Sequence, residues 1–251
     1  MLADEHRDGR HPGAPIEEWV FAAWTPDARL GLISGHRIVG RTAWYWAALA
    51  RSGRPLLHVT DFDVPVRSDP FIVKGEALWA EHHCDGEMQQ WSIGNETYAS
   101  AIDDPDDALG RAFGDPTPIA FDLEWYATGD ATAIGPSASG YEQDGVVHGA
   151  IDIQGEPRLE LVEVPAHRWH RWATVGLGPL ELPEVIAHTG VRAPFAFPDD
   201  TVSDLVLTAG GWARRAPRHV GHNTGHDIGQ RAGLKGVPAA DEVRSPSVND
   251  S

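Results

Sequence analysis

One cysteine, Cys84, stands among 251 residues. A single thiol excludes an intramolecular disulfide and any cysteine-based zinc pattern, and it leaves Cys84 to be read as an incidental buried thiol or as a nucleophile. Lysine is almost as scarce, with only Lys74 and Lys235. Acids outnumber bases 37 to 20, for a formal charge of −17, so the chain lacks the basic surface that tracks phosphates. Nucleic acid and anionic membranes are poor partners for it. No apolar run approaches the roughly 18 residues of a spanning helix. The opening MLADEHRDGRHPG is polar and acidic where a signal peptide is basic and then apolar. A cytoplasmic protein without membrane insertion is expected. GxGxxG, GxxxxGKS/T and GxSxG are all missing, so nucleotide-binding and serine-hydrolase chemistry lack their motifs.

What the chain does have is punctuation and alternation. Nineteen prolines and 27 glycines interrupt it at short intervals, and the apolar residues between them recur at every second position, a β signature. In 118-PIAFDLEWYATG-129, Ile119, Phe121, Leu123, Trp125 and Ala127 share one face and Asp122, Glu124 and Tyr126 the other. The stretch 145-GVVHGAIDIQGEPRLELVEV-164 reads as a hairpin turning at 154-QGEP-157, and 71–94 as another turning at Asp85-Gly86. Further strands are expected at 17–24, 29–39, 56–64 and 203–212. The run 43-AWYWAALA-50 fits a strand or a helical turn equally, because alanine and leucine favour the helix. The acidic stretch 100–116 breaks the pattern and reads as a linker with a short helix. An all-β chain of two units, 16–99 and 117–215, follows. Residues 1–13 are expected to be loose and 216–251 to form a disordered tail.

The segment 167-HRWHRW-172 interleaves two histidines, two arginines and two tryptophans. As a strand it puts Arg168, His170 and Trp172 on one face and His167, Trp169 and Arg171 on the other. Neither face is aliphatic, so one face is expected to line a cavity and the other a polar seam. Histidine transfers protons near neutral pH, arginine fixes an anionic oxygen, and tryptophan gives an apolar wall that favours a nearby cation. The structural alternative has the arginines paired with acids such as Glu160 and Glu163 and the tryptophans as filler.

Together with 117-TPIAFDLEWYATG-129 and 140-GYEQDGVVHGAIDIQGEPRLEL-161, this segment resembles the lipocalin-like family of hydroxyneurosporene synthase (a carotenoid hydratase) and AttH-like proteins. There a segment of the form G-x-R-D-H-S-W follows a glycine-rich hairpin. Arg168, His170 and Trp172 match it, Ala166 takes the glycine's place, and Trp169 and Arg171 replace the aspartate and serine. The resemblance implies two tandem lipocalin-like (calycin-like) antiparallel β-barrels. It also implies cofactor-free hydration, isomerisation or cyclisation of isoprenoid or polyketide-like substrates. Without the aspartate, a hydration reaction needs another acid.

The candidate catalytic residues are therefore His170, Arg168 and Glu124, the last as a general acid if its face is enclosed. Trp172, Trp169, Trp125, Tyr126 and Tyr141 are candidate ligand contacts. Ten tryptophans, at 19, 24, 44, 46, 79, 91, 125, 169, 172 and 212, suit either a core or an aromatic pocket for an extended apolar ligand. No cofactor and no metal are expected. Histidines 219, 222 and 226 have metal-like spacing but no carboxylate or cysteine beside them. Three functions remain open: a cofactor-independent hydro-lyase, isomerase or cyclase acting on an isoprenoid, steroid or polyketide; a non-catalytic carrier of such a lipophilic molecule; and a carbohydrate-binding β-sandwich, which requires a row of exposed tryptophans.

Overall fold

A computed structural model describes residues 8–134, 139–186 and 190–216; the expected tail and its histidines lie outside this set. Among the described residues all regular elements are strands apart from a 3-10 turn, Pro105–Leu109. No helix among the described residues is long and apolar enough to cross a membrane.

Eleven strands make one antiparallel sheet: β1 (Ile16–Trp24), β2 (Leu30–Val39), β3 (Thr42–Arg51), β4 (Leu56–Pro65), β5 (Ile72–Lys74), β6 (Leu78–Gly86), β7 (Gln90–Ile102), β8 (Asp115–Ala127), β9 (Thr132–Ala133), β10 (Ser139–Ile153) and β11 (Leu159–Ala173). The order β4-β3-β2-β1-β11-β10-β8-β7 closes on itself because Leu56–His58 of β4 also pair with Ser100–Ile102 of β7. Eight strands thus form a circuit of hydrogen bonds, and β6 and β5 extend it outward from β7. The stretches 16–99 and 117–173 are joined twice in this circuit, at β1–β11 and at β7–β8. The acidic linker turns the chain between two neighbouring strands of the same sheet. Its expected helix is the 3-10 turn, capped by the Asp104 side chain on the Asp106 N–H.

A second, four-stranded sheet contains β12 (Glu184–Val185), β13 (Arg192–Ala196), β14 (Val202–Thr208) and β15 (Gly211–Arg215). It explains why β1, β2 and β3 are buried along almost their whole length. Their inward residues, such as Trp19, Phe21, Tyr45 and Leu49, join the core inside the circuit. Their outward residues, such as Val20, Ile33, Trp46 and Ala48, join Phe195, Leu205, Leu207 and Trp212 in a second core. Strand β3 therefore has two apolar faces to satisfy. Small alanines between the large aromatics fit both, which overrides the helix preference of 43-AWYWAALA-50. Close approach is bought by glycine at the joints: a β-carbon on Gly31 would strike Trp212, and one on Gly145 would strike the Trp125 indole.

Candidate functional site

Strand register brings the chemistry together. In an antiparallel sheet directly opposed residues are neighbours on one face. Across β2, β1, β11 and β10 one row reads His36, Trp19, His170, Tyr141, and the next reads Phe21, Arg168, Gln143 across the last three. The rings follow the strand spacing of about 4.8 Å. Trp19 stacks on His36 at 4.9 Å and on His170 at 4.7 Å, and Tyr141 meets His170 edge-on at 5.3 Å. All of these residues face the interior of the circuit, at the end where β1 begins and β11 finishes.

His170 is fully buried and bound at both nitrogens. Nε2 lies 2.8 Å from Glu17 Oε1, and Nδ1 lies 3.1 Å from the Tyr141 hydroxyl. Tyr141 donates its single hydroxyl proton to Asp8 Oδ1 at 2.7 Å. With that proton donated to Asp8, the phenol oxygen accepts from His170 Nδ1–H. Burial, and after it Arg168 in the opposite sense and Asp8, leave the Tyr141 phenol with a pKa well above its ordinary value. It acts as a proton donor throughout the neutral range.

Residues 8–13, read from sequence as loose, cross this end of the circuit. His11 stacks on Trp172 at 3.6 Å and places Nδ1 2.7 Å from the same Glu17 oxygen that holds His170. Its backbone N–H reaches both Glu17 oxygens at 3.0 Å. Asp8 ion-pairs with Arg168 Nη1 at 2.6 Å and also accepts from the Met88 backbone N–H. Arg168 also donates from Nε and Nη2 to Gln143 Oε1 at 3.0 and 2.7 Å and from Nη2 to Met88 Sδ at 3.5 Å, and its guanidinium lies among Trp91, Trp125 and Tyr141. The result is a continuous path, Arg168–Asp8–Tyr141–His170–Glu17–His11, sealed among aromatic rings.

A second buried chain adjoins it. His36 and His82 share a 2.8 Å contact between their Nδ1 atoms, and His82 Nε2 passes to Ser34, Tyr45 and Asn95. Such a contact needs one donor and one acceptor, so the accepting ring at least is neutral. Burial enforces this, taking His36 down to about 3 and His82 well below its ordinary value.

The outer face of the same strands is differently built. Glu18 is wedged between Arg37, with Nε at 2.9 Å, and Arg171, with Nε at 2.8 Å. Burial works to raise the Glu18 pKa, but Arg171 and Arg37 together prevail and lower it. The arginines of HRWHRW thus pair with Asp8 and Glu18, whereas Glu160 lies on Arg158. Trp169 enters the outer core and donates to Glu142.

Of the residues singled out by sequence, His170, Arg168, Tyr141, Trp125 and Trp172 meet at the interior end. Glu124 and Tyr126 do not: they sit on the outer face of β8, Glu124 exposed and accepting a hydrogen bond from Tyr126. Only Trp79 of the ten tryptophans is exposed, at 37%. Asp8, His11, Glu17 and Gln143 were missed. Glu17 did carry a signal, since it shares the inward parity of Trp19 and Phe21. Cys84, half-buried beside Asp8, has its thiol pushed up to about 12 by burial and then by the Asp8 carboxylate, which keeps it protonated and a poor nucleophile.

His11, Glu17 and His170 offer three ligand atoms within 4.8 Å of one another, a donor set that suits zinc or another divalent transition metal. Their 2.7 and 2.8 Å separations are hydrogen-bond distances, so the set is satisfied as it stands. Between the 86–89 turn and the 129–131 loop lies a hollow of about 860 Å³ lined in part by Met88, Gln90, Tyr126 and Gln143, of which Met88 and Gln143 also bond Arg168.

No curated protein and no solved structure gives a significant match to the chain. Residues 3–179 match a family model described as a domain of unknown function, DUF7064. The match takes in the crossing segment and all eleven strands of the large sheet, and stops before the four-stranded one. The chain belongs to the DUF7064 family.

Proposed function

We propose that the protein binds a lipophilic small molecule of the isoprenoid, steroid or polyketide class at the end of the strand circuit and transfers a proton to or from it without a cofactor. The observation behind this is the buried path Asp8–Tyr141–His170–Glu17, walled by Trp19, Trp91, Trp125 and Trp172. A histidine hydrogen-bonded to a carboxylate on one side and to a phenol on the other is oriented at both nitrogens. That arrangement suits general acid–base chemistry of the hydratase, isomerase or cyclase kind. Glu17 and Asp8 also supply interior carboxyl groups to a chain whose motif carries Trp169 instead of the aspartate.

Kinship with the lipocalin-like hydroxyneurosporene synthase and AttH-like proteins is part of this proposal. An eight-strand antiparallel circuit has the strand number of a lipocalin, and HRWHRW sits inside it. The tandem arrangement of that family would need strands beyond the circuit. Non-catalytic carriage of the same ligand is the second reading, favoured by the full burial of His170 and by its satisfied nitrogens. Carbohydrate stacking has little support, because one exposed tryptophan does not make a platform.

Native mass spectrometry of the purified protein, with organic extraction of what it carries, tests the binding. A retained isoprenoid, steroid or polyketide is expected. An empty protein that also ignores a hydrophobic fluorescent probe overturns the reading. Turnover of the identified ligand, unchanged by His170→Ala, would leave only the carrier.

A further inference from the structure

Asp8 is held as a bound anion is held. Its carboxylate receives the Arg168 guanidinium at 2.6 Å, the Tyr141 hydroxyl at 2.7 Å, the Met88 backbone N–H and, more distantly, the Cys84 thiol at 3.8 Å. Arg168 and Tyr141 are each 1% exposed. These groups are fixed from behind by the large sheet: Gln143 on β10 binds Arg168 through its oxygen, and the Met88 and Gly129 carbonyls through its nitrogen. Met88 adopts a left-handed backbone, φ 61°, uncommon outside glycine, and that conformation accompanies the N–H on Asp8. Asp8, by contrast, arrives from outside the sheet. It precedes exposed Gly9 and Arg10, and the segment ends at Gly13, whose φ of 81° lets the chain turn sharply into β1.

Two further features mark the surroundings of Arg168 as unfinished. The indole N–H groups of Trp91 and Trp125, whose rings flank the guanidinium, are buried without a hydrogen-bond partner among the described residues. Buried donors of this kind are normally satisfied. The hollow of about 860 Å³ opens onto Met88 and Gln143, two residues that make or brace the Asp8 cradle.

We infer that the Arg168 cradle is a binding site for the carboxylate of a small organic acid, with residues 8–13 a displaceable strap whose Asp8 fills it until such an acid enters from the hollow. The inference rests on the small-molecule reading for the acid's lipophilic body, and adds its polar end. Exchange of one carboxylate for another keeps the buried charge balanced, so Arg168 is never left unpaired. The strap's other anchor, His11, leaves with it and uncovers Trp172, Glu17 and one side of His170.

The experiment uses the full-length protein with decanoate, kept below its micellar concentration, and with decanol and acetate as comparators. Asp8→Ala removes the internal competitor. Decanoate is expected to bind this variant about tenfold or more tightly than it binds wild type, because the competent state is no longer a minor one. Arg168→Met in the Asp8→Ala background removes both charges and is expected to abolish that binding. In wild type, saturating decanoate is expected to speed tryptic cleavage after Arg10. Equal decanoate affinity in wild type and Asp8→Ala overturns the cradle, as does unchanged cleavage after Arg10 at saturation. If Asp8→Ala does not fold, the isosteric Asp8→Asn replaces it, and the cleavage assay needs no variant. Decanol binding wild type as tightly as decanoate would sink the carboxylate site and leave the lipophilic reading standing. Acetate restoring the Asp8→Ala melting temperature as fully as decanoate would support the cradle and sink the lipophilic reading.

Discussion

Glu17 and Glu18 are consecutive residues of one strand, both buried and both ionic, yet they serve opposite kinds of surroundings. Glu17 faces the interior, where its nearest side-chain partners are the imidazoles of His11 and His170. Glu18 faces the second core, where its partners are the guanidiniums of Arg37 and Arg171. Arginine stays charged at any pH the fold survives, and histidine does not. The outer carboxylate is therefore locked between them, and Arg37 in turn lies over Trp44, Trp46 and Phe197. The inner carboxylate instead meets two imidazoles and the His11 backbone N–H. Strand alternation separates a structural ion cluster from a chemical one within a single dipeptide.

The sharpest way to break this comparison is to neutralise each carboxylate in turn. Glu18→Gln leaves two buried guanidiniums without their shared anion, and a loss of about 3–5 kcal/mol in the urea-unfolding free energy is expected. Exposing the protein to acid acts on the other side. His36 and His82, and His58 with a pKa lowered to about 4 by burial, all have folded-state pKa values below the ordinary 6.5. The unfolded chain then binds more protons between pH 6.5 and those values. Stability is whole above pH 6.5 and falls as the pH drops, by about 1.4 kcal/mol per pH unit for each histidine that stays neutral. The lowered pKa of Glu18 has the other window: its contribution is present above 4.5 and is lost only as the pH falls through the lowered value. Between pH 6.5 and 4.5 the contribution of these groups belongs to the three buried histidines, and His36→Phe, which keeps a ring on Trp19, should reduce the slope. A slope unaltered by that change would mean that the His36–His82 pair does not govern acid unfolding. Glu17→Gln is expected to cost less than Glu18→Gln, about 2 kcal/mol, since it weakens hydrogen bonds to two imidazoles and a backbone N–H and strands no guanidinium. Equal costs for the two would erase the distinction between the faces.

The strands were legible because alternation survives in sequence: Trp125 inward and Glu124 outward, Arg168, His170 and Trp172 on one side of HRWHRW. What alternation does not encode is which strands become neighbours. The 100–116 stretch looks like a boundary, yet β7 and β8 pair across it, and that depends on long-range pairings such as Trp91 with Trp125. The site was half legible for the same reason. Residues carried on periodic strands, His170, Arg168 and Tyr141, stood out. Asp8 and His11 come from DGRHPG, a stretch with no period, whose position is decided by the Arg168 and Glu17 side chains it meets. Glu17 was readable in retrospect as a charge on the apolar parity of β1.

A last contrast lies within HRWHRW itself, which holds two histidine–carboxylate contacts of almost equal length. His170 lies 2.8 Å from Glu17, and His167 lies 2.7 Å from Asp144. Distance alone would rank them together. Burial does not: His170 and Glu17 are both fully enclosed, while the Asp144 side chain is 78% exposed. Water and salt screen the second pair, and holding two mobile side chains together offsets most of its attraction. His167→Ala is expected to change the unfolding free energy by only about 0.2–1 kcal/mol, with the difference shrinking in 1 M salt. It should also leave ligand retention intact, since His167 points away from the interior. A large, salt-insensitive loss would show that the outer edge of β11 carries more of the site than its exposure allows, and would move the boundary between the two faces.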